Sequence, residues 1–407
     1  MRAVPNNTRP PDTLSERLNT PISTAELERR WAAVREAMDA EGIDVLLVQN
    51  NSEPTGGYVR WLTDMPAGYY PTTVIFPRDA GMTVISHGVL GEVRELGGVR
   101  DGVWRGVDRL VSTASFPSAP YTREYDAEFA ITALEPFARA TVGLVGTYQM
   151  SFAFGDRVRR ELSGARLMES SELVDRIKTI KSPEEQELIR VTAALQDAVM
   201  AAAMAAVEPG KKESDIAAVG RRRAQELGSE AGIFLASGAP FGTPAPTKPR
   251  HQQNRVLQRG DVFALLVEVD GPGGMYTELG RSCTLGPVPA QVAEEFEFTL
   301  QARRFTLGQM KPGTRAADVF AAYNEFMRAN GRPPERRIHC HAQGYDLVER
   351  PFIRFDETFT IERDMNMACH PKYMHNGMFS WVCDNYLIGP DGPGPRLHSY
   401  PESIVER

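Results

Sequence analysis

The stretch 257–286, LQRGDVFALLVEVDGPGGMYTELGRSCTLG, decides the fold. Two apolar, β-branched runs, VFALLVEVD (262–270) and MYTELGRSCTL (275–285), flank Gly271-Pro272-Gly273-Gly274, which predicts a hairpin closed by a Gly/Pro turn. Side chains two apart on a strand share a face, so Glu268 and Asp270 point the same way, and the hairpin brings Glu278 alongside them. Several carboxylates at one spot repel unless a cation or a shared proton neutralises them. A hairpin this apolar that still carries three acids is a place to look for chemistry.

Working outward, the hairpin lies between two copies of one pattern. Residues 207–228 read VEPGKKESDIAAVGRRRAQELG and residues 310–331 read MKPGTRAADVFAAYNEFMRANG. Pro209 matches Pro312, Gly210 matches Gly313, Asp215 matches Asp318 and Gly228 matches Gly331. Each copy is a Pro-Gly turn, an acid near a helix start, an amphipathic helix and a glycine stop. Two copies are too few for a solenoid; they predict a duplicated lobe about a pseudo-twofold axis, with a site between the copies. Strand-rich sequence follows each copy: GIFLASGAPFG and the hairpin after the first, then RIHCHAQG, FTIERDMNMACHP and MFSWVCDNYLIG after the second.

Upstream, Ser182-Pro183-Glu184-Glu185 marks a helix start. Serine caps, proline suits the first helical position, and two acids favour the positive end of the helix dipole. The helix is expected to run to about Val207, with Met and Ala at 198–206 as its close-packing face. Over 24–170 strands alternate with helices. LERRWAAVREAMDAEG carries Leu27, Trp31, Val34 and Met38 at helical spacing, and IDVLLVQN, TTVIFP, GMTVISH and ATVGLVG read as strands, which predicts a layered α/β domain. Residues 1–23 are polar and Pro-rich and predict an arm; the domains are expected at 24–172 and 173–407.

The 407 residues carry 46 Lys and Arg against 53 Asp and Glu, a net charge of −7. Without a concentrated basic field nucleic acid is not an expected partner. The longest apolar run, Ala198 to Val207, is short of the ~20 residues of a membrane span, so no membrane association is expected. The N-terminus shows no apolar h-region. The four cysteines, Cys283, Cys340, Cys369 and Cys383, make no disulfide framework. Together these features predict a cytoplasmic protein.

Downstream of the hairpin, His341, His370 and Cys383 add imidazole and thiol to the carboxylates, a plausible transition-metal set. No pair forms a compact CxxC or HxxxH signature, and each residue alone also reads as an ordinary buried polar group.

From IKTIKSPEEQELIR through SGAPFG and the hairpin to HAQGYDLVERP and DNYLIGPDG, the second half resembles the pita-bread family of creatinases, prolidases, aminopeptidases P and methionine aminopeptidases. Residues 24–170, including GYVRWLTD at 57–64, are similar to the N-terminal domain of the first three. The resemblance implies an α/β N-terminal domain plus an α+β pita-bread C-terminal domain with an internal pseudo-twofold repeat. Peptidases of this family hold two metal ions with two Asp, one His and two Glu. Here the first Asp falls at Glu268, to within one residue of register, with Asp270 as its nearby rival, and the second at Glu278, followed at the usual distance by Arg281. The His is His341. The two Glu positions fall at His370 and Cys383, and a second family histidine falls at Val348.

Three expectations follow. The site binds a divalent transition metal (Mn, Fe or Zn), one ion, through Glu268 or Asp270, Glu278, His341, His370 and Cys383, and hydrolyses a C–N bond with a metal-activated water. Alternatively, metal is absent, as in creatinase, and His341 or His370 shuttles protons with Glu278 or Glu349 as partner; C–X elimination is the runner-up reaction. Third, the fold serves only as a binding module. The resemblance also implies a small carboxylate-bearing substrate contacted by Arg60, Trp61, Tyr70, His251 and Arg281. It further implies a homodimer in which an N-terminal-domain loop reaches the partner's active site.

Overall fold

The computed structural model describes residues 17, 20–50, 55, 57–122 and 124–407. The chain divides into two compact units between Lys178 and Thr179, where the sequence suggested 172/173. The first unit contains α1 (Thr24–Glu41), β1 (Val45–Asn50), α2 (Gly57–Thr63), β2 (Thr72–Pro77), β3 (Met82–His87), β4 (Val93–Gly98), β5 (Val107–Thr113), α3 (Glu124–Leu134), β6 (Thr141–Val145), α4 (Phe152–Glu161), β7 (Arg166–Glu169) and α5 (Ser171–Lys178). Its strands form one mixed sheet ordered β4-β5-β3-β2-β1-β6-β7. Val45, Leu47, Ile75, Ile85 and Val142 of the sheet pack on Ala127, Ala130 and Leu134 of α3 and on Phe154 and Val158 of α4.

Local signals explain the first helix. The Ser23 hydroxyl accepts from Glu26 N at 3.1 Å, and Gly42 ends α1 with φ 66°, a left-handed conformation suited to glycine. Leu27, Trp31, Val34 and Met38 are all buried. Of the arm expected over 1–23, residues 1–16 and 18–19 lie outside the described residues; Arg17 donates to Asp64 Oδ2 at 2.6 Å.

The second unit contains α6 (Pro183–Ala205), α7 (Glu213–Glu226), β8 (Gly232–Pro240), β9 (Asp261–Asp270), β10 (Tyr276–Thr284), α8 (Ala290–Gln309), α9 (Ala316–Ala329), β11 (Cys340–Ala342), β12 (Glu349–Phe352), β13 (Asn366–Cys369), β14 (Lys372–His375), β15 (Met378–Trp381), β16 (Asp384–Gly389), β17 (Gly392–Arg396) and β18 (Val405–Glu406). Ser182 caps α6 in a full capping box: its hydroxyl accepts from Glu185 N, and the Glu185 carboxylate accepts from Ser182 N. By length and composition α6 would suit a membrane span. Leu195, Val199, Met200, Ala203 and Met204, however, pack into the core formed with Val267, Val269 and Leu279, as a central helix of the unit does.

The duplication is visible in the backbone. Gly210 N donates to Leu257 O and Gly313 N donates to Ile361 O, each at 2.8 Å, and both glycines have strongly positive φ. Lys212 bridges Val256 as Arg315 bridges Thr360. Each copy thus enters its helix, α7 or α9, from the same clasp. The sheets follow suit: β10-β9-β8 form the antiparallel core of one, β11-β13-β16 that of the other. One expected strand is divided: MFSWVCDNYLIG yields β15, which pairs only with β14, and then β16 after a break at Val382-Cys383.

The two sheets join where Gly280 and Cys383 exchange backbone hydrogen bonds of 3.1 and 3.3 Å. A Cβ at Gly280 would lie 2.4 Å from the Trp381 ring and 3.0 Å from Cys383 Cβ. Overpacking such a junction costs about 1–3 kcal/mol. Gly280→Ala is therefore expected to lower stability by that amount in urea unfolding; an unchanged midpoint would show that the junction is loosely packed.

Candidate metal centre

The hairpin places its acids by strand periodicity. Val267, Val269 and Leu279 face the core with α6, so the alternate positions Glu268, Leu266, Glu278 and Gly280 face the other way. Glu268 and Glu278 are direct cross-strand partners, both about 6% exposed. The second sheet supplies imidazoles to the same region. His341 on β11 pairs with Ala368 on β13, and Ala368 pairs with Asn385 on β16. Asn385 Oδ1 accepts from Glu278 N at 2.7 Å, which ties this face to the hairpin. His370 follows β13, its backbone N donating to His339 O.

Among the described residues, one group of three or more metal-ligating side chains converges: Glu278, His341 and His370, with one ligand atom of each within 4.8 Å of the others. His341 Nδ1 lies 2.9 Å from Ala342 O. A carbonyl only accepts, so that nitrogen carries the proton, and a neutral His341 presents its bare Nε2 lone pair to Glu278 Oε2, 3.3 Å away. Two acceptors this close require a cation or proton between them. The buried His370 Nδ1 has no partner among the described residues. Ligands held ~2.1 Å from one ion at tetrahedral or octahedral angles stand about 3.0–3.4 Å apart, so the His341–Glu278 edge already has the separation of a bound pair. Two imidazoles and a carboxylate fit a divalent transition ion.

The charge states fit that role. Burial would raise the Glu278 pKa, but His370 and the hydrogen-bonding His341 pull it down to about 2. Burial, followed by neighbouring His341 and Lys372 charges, holds His370 down at about 3 against the favourable field of Glu278. Above pH ~4 the pair is thus a carboxylate beside a neutral imidazole, both ready to ligate. Burial and then the Glu278 charge push Glu268 well above the carboxylate range, which favours its protonated form. Its Oε1 accepts from Gln343 Nε2 at 2.9 Å, and Gln343 Oε1 accepts from Asn385 Nδ2 at 2.9 Å. Gln343 and Asn385 thus position both glutamates. Both lie inside motifs quoted above, HAQG and DNY, but neutral amides carry no charge signature by which sequence reasoning would single them out.

The remaining expected residues lie elsewhere. Asp270 Oδ1 accepts from Ser229 Oγ and from the backbone N of Glu230 and Ala231, 2.9–3.0 Å, as a loop anchor. Cys383 donates its thiol to Glu278 O at 3.4 Å and packs with Ala264, Leu266 and Trp381; burial and the charges of Glu278 and Asp384 push its pKa well up, so it is a thiol beside the cluster rather than a member. Glu349 is ion-paired with Lys181 at 2.7 Å, and it is the cross-strand partner of Ala342 rather than of His341. Arg281 grips Asp384 with both terminal nitrogens and donates to the carbonyls of Pro401, Tyr400, Gly280 and Cys383; it is a scaffold residue. His251 sits on an exposed turn beside Gln252. In the first unit, Trp61 is a core residue of α2 with Arg30 over its ring, Arg60 is buried on the same helix, and Tyr70 stacks on His87 at 3.9 Å. GYVRWLTD is therefore a packed helix, not a loop.

Paired three-stranded lobes related by a pseudo-twofold axis around a buried acid–imidazole cluster define a pita-bread domain. The X-Pro aminopeptidase of Thermotoga maritima superposes with a TM-score of 0.76 at 15% identity, covering 93% of this chain and 99% of that one. The sequence pattern of metallopeptidase family M24 matches residues 187–390, and the protein belongs to that family. It is 22% identical over 242 residues to the probable dipeptidase PepE of Mycobacterium bovis, 58% of this chain and 63% of the relative. It is 29% identical over 235 residues to the creatinase of Bacillus sp., 54% of this chain and 56% of the relative. The matches thus span less than two thirds of these curated relatives.

Directly behind the cluster, Asp384 is fully buried between Arg281 at 2.7 Å and Arg303 at 2.5 Å, with Arg396 and His398 at 3.4 Å. Burial opposes its charge, but Arg281, His398 and Arg303 hold its pKa far below the carboxylate range. A depressed acid stabilises the fold above its unfolded pKa, and that stability drains as pH falls below about 4. Removing it strands buried guanidinium groups, so Asp384→Ala is expected to cost about 3–5 kcal/mol in denaturant unfolding at pH 7. The gap to wild type should narrow as pH falls from 4 to 2. A loss under 1 kcal/mol, or a gap that widens on acidification, would contradict this reading.

Proposed function

We propose that the protein hydrolyses a C–N bond, amide or amidino, in a small carboxylate-bearing substrate at a mononuclear site held by Glu278, His341 and His370. The observation that carries this is the lone-pair convergence: bare His341 Nε2 faces the Glu278 carboxylate at 3.3 Å while His370 Nδ1 is buried and unpartnered among the described residues. When bound there, a divalent Mn, Fe or Zn ion supplies Lewis acidity that lowers the pKa of a water and polarises a carbonyl. Glu268 holds the proton that leaves with the amine. Gln343 engages its Oε1, leaving Oε2 as the proton-bearing atom, and the buried amides keep that carboxyl oriented toward Glu278. The proton passes to the nitrogen after the water oxygen has added to the carbonyl, and the Glu268 carboxylate left behind takes a proton from the next water to enter the site, which restores the starting state. Family members described as dipeptidase, Xaa-Pro dipeptidase and creatinase support C–N chemistry at such a site.

The 3.3 Å His341–Glu278 contact also supports a metal-free, creatinase-like mode in which a proton takes the place of the ion. The full chain, loaded with Mn, Fe or Zn and then desalted, should retain about one ion by elemental analysis. It should hydrolyse members of a panel of N-acyl amino acids, dipeptides and guanidino carboxylates. His341→Ala and Glu278→Gln should lower both metal content, to under about 0.2 ion, and turnover, by about 10³-fold or more. Turnover that persists in metal-free protein but vanishes in His341→Ala would establish the proton mode instead. Oxygen from labelled water in the product separates hydrolysis from elimination.

A further inference from the structure

The strand that leaves the metal centre carries an unmatched cation. Lys372 opens β14 two residues after His370. Its direct cross-strand partner is Trp381, and the Trp381 ring lies where a side chain at Gly280 would be, on the Glu278 face of β10. Lys372, Trp381, Gly280 and Glu278 therefore line one surface. Lys372 is half-buried, and its side chain makes no hydrogen bond, ion pair or ring contact among the described residues. Buried cations of this unit are matched otherwise: Lys181 by Glu349, Arg281 and Arg303 by Asp384. The indole N–H of Trp381, 3% exposed, also lacks an acceptor among the described residues. The ammonium charge is felt by Glu268, Glu278 and His370 alike, which places it within electrostatic reach of all three.

A partly desolvated ammonium with no hydrogen-bonded or ion-paired partner among the described residues, beside a centre that offers lone pairs to a cation, is an anion subsite. We propose that Lys372 binds the carboxylate of the substrate and selects anionic substrates over neutral ones. This rests on the hydrolase reading for the word substrate, but binding tests it independently of turnover. It assigns the anchoring role to the second unit, in place of Arg281, which is saturated by Asp384 and carbonyls.

The test uses the full-length, metal-loaded chain and two probes that differ only in charge, N-acetylglycine and N-acetylglycinamide, titrated by calorimetry. Wild type should bind the acid about 10–100-fold more tightly than the amide, the range of a charge-assisted hydrogen bond. Lys372→Met should abolish that preference with the amide affinity unchanged, and Lys372→Arg should keep most of it. A second variant, Lys372→Gln, guards against misfolding of the first; circular dichroism and metal content should match wild type in each. Equal affinity for the two probes in wild type, binding of neither, or a preference that survives in folded Lys372→Met and Lys372→Gln overturns the anchor. If the preference follows Lys372 while no C–N substrate is turned over, the anchor stands and the hydrolase reading falls.

Discussion

Two glutamates directly opposite one another on a buried hairpin set the terms for the rest of the second unit. Neither can be hydrated, and both cannot be charged without compensation. The structure resolves the conflict asymmetrically. The Glu268 carboxyl is pushed toward its protonated form, with Gln343 donating to one oxygen; Glu278 is held ionised, with His341 and His370 standing against it. The same asymmetry separates the roles: one carboxyl carries a proton, the other offers lone pairs to a cation. Chemistry and electrostatic relief come from one arrangement.

The duplicated architecture delivers the partners. The first copy ends in the hairpin that carries the acids; the second ends in strands that carry His341 and lead into His370. Backbone junctions at the site, Gly280 with Cys383 and Tyr276 with Gly344, set the separation between the two sets of ligands. Behind the first, Asp384 with its arginines fixes the start of β16 and hence Asn385, whose amide holds Glu278 N. A charged scaffold on one side of a strand and a neutral amide on the other thus hold the hairpin acid against the imidazoles. Burial, with the Glu278 and Asp384 charges, also disfavours the thiolate of Cys383.

Much of this was legible in the amino-acid order. The hairpin, the Pro-Gly–helix duplication and the Ser182 cap are local signals, and strand alternation brings Glu278 alongside Glu268 and Asp270. Strands β4 (VRELGG) and β7 (RLME) escaped notice because edge strands are polar and lack an apolar run. For the site, sequence identified which residue types matter but not which would converge. Asp270 and Glu268 look equivalent by spacing, yet a three-residue loop at 229–231 captures Asp270. Arg281 and Glu349 look like free charges until a residue more than 100 positions away neutralises each: Asp384 for the first, Lys181 for the second. Long-range ion pairing is a property of the tertiary structure, and no local pattern encodes it. Lys372 is the converse case, an ordinary surface lysine by sequence that the fold leaves half-buried and unmatched.

The central claim is that Glu278, His341 and His370 form one mononuclear centre, and anomalous diffraction from crystals grown with Mn or Zn tests it most directly. The account predicts a single strong peak about 2.0–2.3 Å from one atom of each of the three side chains, with Asp270 still engaged by its loop and the Cys383 sulfur outside the coordination sphere. No peak at that position, two peaks bridged by Glu268 and Glu278, or an ion bound through Asp270 or Cys383 would contradict it.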